Sequence, residues 1–289
     1  MKRNILNSPR LLELKKQKQN VLKNKILFSV LGFSIFFVFL AFLSRISKLN
    51  ISSIVVVGNT VTEAELIKQN VEKYMQGNYM WFFPKTNIFL YSQGKIKNNI
   101  IFEFKRLKDI ELSVNNQRVL EIKVTEREPK YTWCGASIVS GENSSTQNDC
   151  YFLDQEGYIF DKAPYFSGEV YFKFYGEVEL KDNIPSGSYF FRKDFSKLIS
   201  FKKTLENISL KPVMLQVNSD GNVVVYLSSQ DESQGPEIKF KLNADINRIV
   251  ENLETALATE PLKTDFKQKY KSLLYFDLRF GNKVYFKFE

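Results

Sequence analysis

Between Lys25 and Arg45 the chain runs ILFSVLGFSIFFVFLAFLS, 19 residues without a charge. As a helix rising about 1.5 Å per residue, this stretch spans roughly 28 Å, close to the hydrocarbon thickness of a bilayer. A helix buried in a soluble core normally shows a polar face, and this one has none. The segment therefore predicts a transmembrane helix over 26–44. A cleaved secretory signal is the alternative. Its apolar stretch would be shorter, about 7–15 residues, and would end in an A-x-A-like site. Here the sequence continues SRISKLN, so an uncleaved single-pass anchor is the expectation.

The charge pattern orients that anchor. Residues 1–25 carry eight basic residues (Lys2, Arg3, Arg10, Lys15, Lys16, Lys18, Lys23, Lys25) against the single acid Glu13. A basic excess on one side of a span predicts a cytoplasmic N-terminus and an extracytoplasmic body. The tail 1–25 is expected to be a flexible topology signal near anionic lipid, with a partner-binding helix as the alternative. Beyond residue 25 there are 33 basic and 31 acidic residues, so the formal charge of +9 belongs mostly to the tail. A nearly neutral body offers no basic footprint for a phosphate backbone, which argues against nucleic acid as a partner.

Histidine is absent and only two cysteines occur. Ser-His-Asp and Cys-His catalysis and ordinary zinc sites are thereby excluded. Carboxylate-only chemistry stays open. No catalytic, cofactor-binding or metal-ligating residue is assigned.

Behind the anchor, ISSIVVVGNTVTEAEL gives a strand at Ile54–Val57 stopped by Gly58-Asn59. Thr62 and Glu65 have capping-box spacing, predicting a helix start there. Ala64, Ile67, Val71 and Tyr74 recur on one helical face. The aromatic stretch YMWFFPKTN comes next and is expected to pack beneath a second helix, capped by Thr86 and running toward Ile100. Ile110, Leu112 and Val114, then Leu120, Ile122 and Val124, alternate with polar residues as two strands. The order over 50–130 is β-α-α-β-β, a small α+β unit. Glu126, Arg127 and Glu128 read as a solvated strand end.

Cys134 closes one apparent strand (YTWC) and Cys150 opens the next (DCYFLD). A disulfide across these strand ends is expected in an exported domain, with two unpaired buried thiols as the alternative. Asp154-Gln155-Glu156-Gly157 reads as a turn. Next come a helix over 194–207, a hairpin turning on Ser219–Asn222 and a helical stripe of Ile246, Ile249, Val250, Leu253 and Leu257. The final FDLRFGNKVYFKF, 276–288, reads as a hairpin closed by Gly281-Asn282. Residues 131–289 thus form a β-rich domain of antiparallel hairpins with two helices.

Together these features resemble a known family. A strand, a V-x-G-N turn, two helices, two strands and then EREPKYTW (Glu126–Trp133), directly behind an N-terminal anchor, resemble the POTRA domain of the bacterial division proteins FtsQ and DivIB. The D-x-x-G stretch within 153–160 and D-L-R-F at Asp277–Phe280 look like the opening and close of the FtsQ β domain. The resemblance brackets about 50–289. It implies a non-enzymatic divisome scaffold in the plasma (inner) membrane at the septum. In that family the partners are the FtsB/DivIC and FtsL coiled-coil proteins, and a partner adds a strand to the C-terminal edge.

The implied docking residues are Arg279, Phe280, Lys283, Val284, Tyr285, Phe286 and Lys287, with Val284, Phe286 and Phe288 sharing one face. Lysines on this edge suit an acidic partner strand, and Arg279 a charge-assisted contact. Protection of the edge against aggregation is the plainer reading of those lysines. Two rivals remain: an anchored enzyme using carboxylates on cell-wall glycans, and a POTRA-bearing transport or assembly factor.

Overall fold

The computed structural model describes residues 9–138, 149–178, 184–228, 235–266 and 269–289. Lys2, Arg3 and most of the segment linking the two cysteines lie outside them. The described chain is mixed α+β, an apolar N-terminal helix preceding a β-rich body. It divides into two compact units, 9–101 with 109–125, and 102–108 with 126–289.

In the first unit, helix α1 is Pro9–Ser44, 36 residues. It is long and apolar enough to cross a membrane by length and composition, dimensions it shares with signal sequences. The basic tail is therefore helical from residue 9, contrary to the expected flexible signal. Leu, Lys and Gln are all good helix formers, and no glycine interrupts them before Gly32.

The end of α1 is held by side chains. The Ser44 carbonyl accepts Nδ2 of Asn50 (2.9 Å) and Nδ2 of Asn87 (3.0 Å). Asn50 Nδ2 also donates to the Ile46 carbonyl (2.8 Å), and Arg118 Nη1 to that of Ser47 (2.7 Å). The two bonds to Ser44 satisfy a carbonyl that a helix end leaves without an intrahelical partner, and the others brace the turn that follows it.

Strands β1 (Ser53–Val57), β4 (Leu107–Val114) and β5 (Val119–Glu126) form a sheet in the order β1-β5-β4, β1 running parallel to β5. Helices α2 (Ala64–Met75) and α3 (Gln93–Glu103) lie between β1 and β4 in sequence. Gly58 ends β1 at φ +86°, and a Cβ there would stand 2.3 Å from the Val124 carbonyl oxygen. That contact is why the V-x-G-N turn needs its glycine.

Three local expectations are corrected. Helix α2 starts at Ala64 behind an extended Glu63 that makes no side-chain cap, so no capping box forms from Thr62 and Glu65. Its buried face is Ile67, Val71 and Met75, whereas Tyr74 is exposed and donates to Asn99 Oδ1. Thr86 does not cap α3, which begins at Gln93; its hydroxyl bonds Asn50 Oδ1 instead (2.9 Å).

The aromatic stretch is also placed differently. It forms a two-rung ladder, β2 (Asn78–Tyr79) against β3 (Phe83–Pro84). Rather than packing beneath a helix, its tip is exposed, and Phe82 and Phe83 touch Phe37 of α1 edge-on.

The second unit is built on one nine-stranded sheet. Its strands are β6 (Tyr131–Trp133), β7 (Tyr151–Leu153), β8 (Ile159–Lys162), β9 (Lys173–Tyr175), β10 (Pro212–Val217), β11 (Asn222–Leu227), β12 (Glu237–Lys241), β13 (Leu273–Phe280) and β14 (Lys283–Phe288). Their order is β14-β13-β12-β11-β10-β9-β6-β7-β8.

The expected succession of antiparallel hairpins is only part of this sheet. The pairs β9·β10, β12·β13 and β6·β9 are parallel. Helix α4 (Phe195–Asn207) joins β9 to β10, and α5 (Ile246–Leu257) joins β12 to β13. Parallel neighbours need such crossovers, and the two helices expected from the sequence supply them. A further four-residue helix, α6 (Leu262–Asp265), comes after α5.

The two crossovers step across the sheet in the same direction, so a common right hand puts α4 and α5 on one face, where they touch. The core beneath them includes Phe174, Phe195, Phe201, Phe240, Leu253 and Phe276. Aromatic rings fill much of this layer.

Candidate functional site

The terminal hairpin begins as the sequence predicts, with Phe280 opposite Lys283 across Gly281-Asn282. Its turn is anchored by α5. Asn252 Nδ2 donates to the Gly281 carbonyl (2.9 Å), and the Arg248 guanidinium donates to Asn282 Oδ1 through Nε (2.9 Å) and a second nitrogen. Neither Arg248 nor Asn252 stood out in the sequence. They lie one turn apart on α5, but nothing local links them to a turn some 30 residues on.

Strand β14 ends the sheet order, with β13 as its neighbour. Among the described residues no strand pairs its outer side. Its side chains alternate. Val284, Phe286 and Phe288 are half-buried and pack against the core, while Lys283, Tyr285 and Lys287 are exposed. Phe280 is 55% exposed and stands edge-on to Tyr285 at 5.3 Å. The register shifts between Asp277 and Phe280, a local bulge that re-aims the intervening side chains.

Arg279 is occupied. Its Nε and Nη2 donate to the two carboxylate oxygens of Asp277 at 2.8 and 2.5 Å. Burial works to raise the Asp277 carboxyl, but the hydrogen bonds and charge of Arg279 outweigh it and hold the group below the usual carboxylate range. The same pairing raises the guanidinium of Arg279 further.

Of the seven sequence-predicted residues, Phe280, Lys283, Tyr285 and Lys287 therefore present an outward face. Val284 and Phe286 serve the core, and Arg279 serves Asp277.

Two motifs from distant parts of the sequence meet elsewhere in this unit. Arg127, expected on a solvated strand end, is half-buried with its side chain largely out of solvent, and forms an ion pair with the buried Asp154. Its guanidinium also lies over the Tyr158 ring, 3.9 Å from the centroid. Asp154 Oδ1 accepts the backbone N–H groups of Glu156 (2.8 Å) and Tyr158 (3.0 Å), closing the D-x-x-G turn. Lys108 pairs with Glu156 of the same turn at 2.7 Å, and Arg106 with Asp161 on the neighbouring β8 at 2.6 Å.

Cys134 and Cys150 are joined by a disulfide, with Cα atoms 4.1 Å apart. They extend the β6·β7 register by one pair beyond Trp133 and Tyr151. No protein-family model matches this chain, and no curated protein matches it either.

Proposed function

We propose that the protein is a membrane-anchored scaffold of the FtsQ/DivIB type, with a POTRA-like first unit. On this reading α1 is an uncleaved single-pass anchor, N-terminus inward, and the β-rich unit lies outside the cytoplasm at the division septum. It recruits the FtsB/DivIC-like and FtsL-like coiled-coil proteins by strand addition to β14, and it performs no catalysis itself.

The observation that carries this reading is the outer side of β14, a six-residue strand that β13 pairs on one side and no described strand pairs on the other. Strand addition would satisfy its free N–H and C=O groups, and the exposed Lys283, Tyr285 and Lys287 would set specificity. The order of elements behind the anchor supports the same family resemblance.

The test is co-purification of the full chain, in detergent, with the host's short coiled-coil division proteins. Lys283→Glu with Lys287→Glu reverses charge on the exposed face, and Tyr285→Pro blocks the ladder. Phe286 is left alone because it packs into the core. Capture by the native chain and loss in these folded variants is the expected result. Equal capture by all would move the docking surface off this edge, and no capture by any would remove the scaffold reading.

A further inference from the structure

The hairpin tip at residues 79–83 spends two unfavourable choices at one place. The Phe82 N–H donates to the Tyr79 carbonyl (3.1 Å), closing a tight turn around Met80 and Trp81. Both central residues have positive φ, +46° and +67°. Turns of this kind favour Asn and Gly, which reach that region cheaply. Here the positions hold two bulky apolar side chains, 76% and 86% exposed. Neither backbone economy nor packing within the protein accounts for them.

Their position relative to α1 does. Phe82 and Phe83 lie edge-on to the ring of Phe37, at 5.8 and 5.3 Å between centroids. Phe37 precedes the helix end, Ser44, by seven residues, or about 10 Å at 1.5 Å per residue. Helical side chains lean further toward the N-terminus, which carries this contact deeper still. Arg45, the first charge past the apolar run, reaches back to the same hairpin. Its Nε donates to the Phe82 carbonyl (3.2 Å) and its Nη2 to that of Trp81 (3.5 Å). A helix whose apolar run lies in lipid therefore draws the hairpin tip below the membrane surface with it.

We propose that the Met80-Trp81 turn is a second membrane contact. It inserts into the outer leaflet beside α1, with Trp81 at the boundary of the acyl chains and headgroups, where amphipathic aromatic rings are favoured. The occupant of this apolar patch is bilayer lipid. The inference rests on reading α1 as an uncleaved anchor. Its consequence is that the first unit is fastened to the membrane at two points, helix and hairpin, rather than hung from one.

Tryptophan fluorescence tests this directly, because the chain has two indoles and α1 has none. Trp133 is buried in the second unit. The full-length protein is reconstituted into phosphatidylcholine/phosphatidylglycerol vesicles with or without brominated acyl chains, and flotation establishes insertion. The expected result is that bromolipid removes the emission of one indole from the native protein, that Trp81→Phe loses this quenching, and that aqueous iodide spares Trp81. Protein that floats with its vesicles yet keeps both emissions in bromolipid, with one indole open to iodide, overturns the hairpin contact and leaves the anchor standing. Protein that stays in the aqueous fraction overturns both.

Discussion

Gly157 stands where no side chain has room. Its φ is +78°, and a Cβ would come within 2.7 Å of the Phe195 ring. Gly157→Ala combines a left-handed backbone with overpacking, so a loss of about 2 to 4 kcal/mol is expected in chemical denaturation. Beside it, Asp154→Asn would leave the largely buried guanidinium of Arg127 without its carboxylate. The expected cost is about 3 to 5 kcal/mol, larger than that of Glu156→Gln at the exposed pair with Lys108.

Asp277 gives a pH signature. Its folded carboxyl titrates below the unfolded value near 3.9. The stability it contributes is therefore present above that pH and lost as pH falls through the folded value. Asp277→Asn should be less stable than the native chain at pH 7, with the difference shrinking below about pH 4, as acid titration of thermal unfolding would show. The roles of Asp154 and Gly157 as turn residues were legible from residue type alone. The partnership with Arg127 was not, because 27 residues separate the pair and an E-R-E sequence has the look of a solvated face.

At the scale of elements, alternation and helical stripes located most strands and both crossover helices. What they could not reveal was pairing partner. A strand of alternating residues reads the same whether its neighbour runs parallel or antiparallel, and only the placement of α4 and α5 decides the matter for β10 and β13. Cap chemistry misled for a related reason: Thr62 and Glu65 have the spacing of a capping box, but the chain enters α2 one residue later than such a box needs.

The disulfide is an element-level staple, tying β6 to β7 across a 16-residue separation. Replacing Cys134 and Cys150 by serine should lower stability by about 3 kcal/mol in the chain-entropy picture. Denaturant unfolding with and without reductant would check it. The candidate edge was legible as a hairpin. Which of its side chains are spare for a partner was legible for Lys283, Tyr285 and Lys287 by alternation, but not for Arg279, whose carboxylate partner lies two residues away on a bulged strand.

For the molecule as a whole, charge is segregated rather than spread. Beyond residue 25 basic and acidic residues nearly balance, whereas residues 1–25 concentrate eight cations against one acid. Retention of the detergent-solubilised protein on heparin should therefore depend on that segment, and a chain lacking residues 1–25 should elute near the void at low salt. Long-range features of this kind were plain in the sequence because they are sums over many residues, insensitive to any one contact.

The junction at Ser44 has a mechanical meaning. A glycine-rich linker would let the helix spin and tilt independently of the small sheet behind it. Here Asn50 and Asn87 grip the last helical carbonyl, and Arg118 grips the next turn. The coupling is a keyed shaft and not a swivel. A neighbouring helix that rotates α1 would turn the sheet of the first unit through the same angle, and a protein that seizes that sheet would apply its torque to the helix.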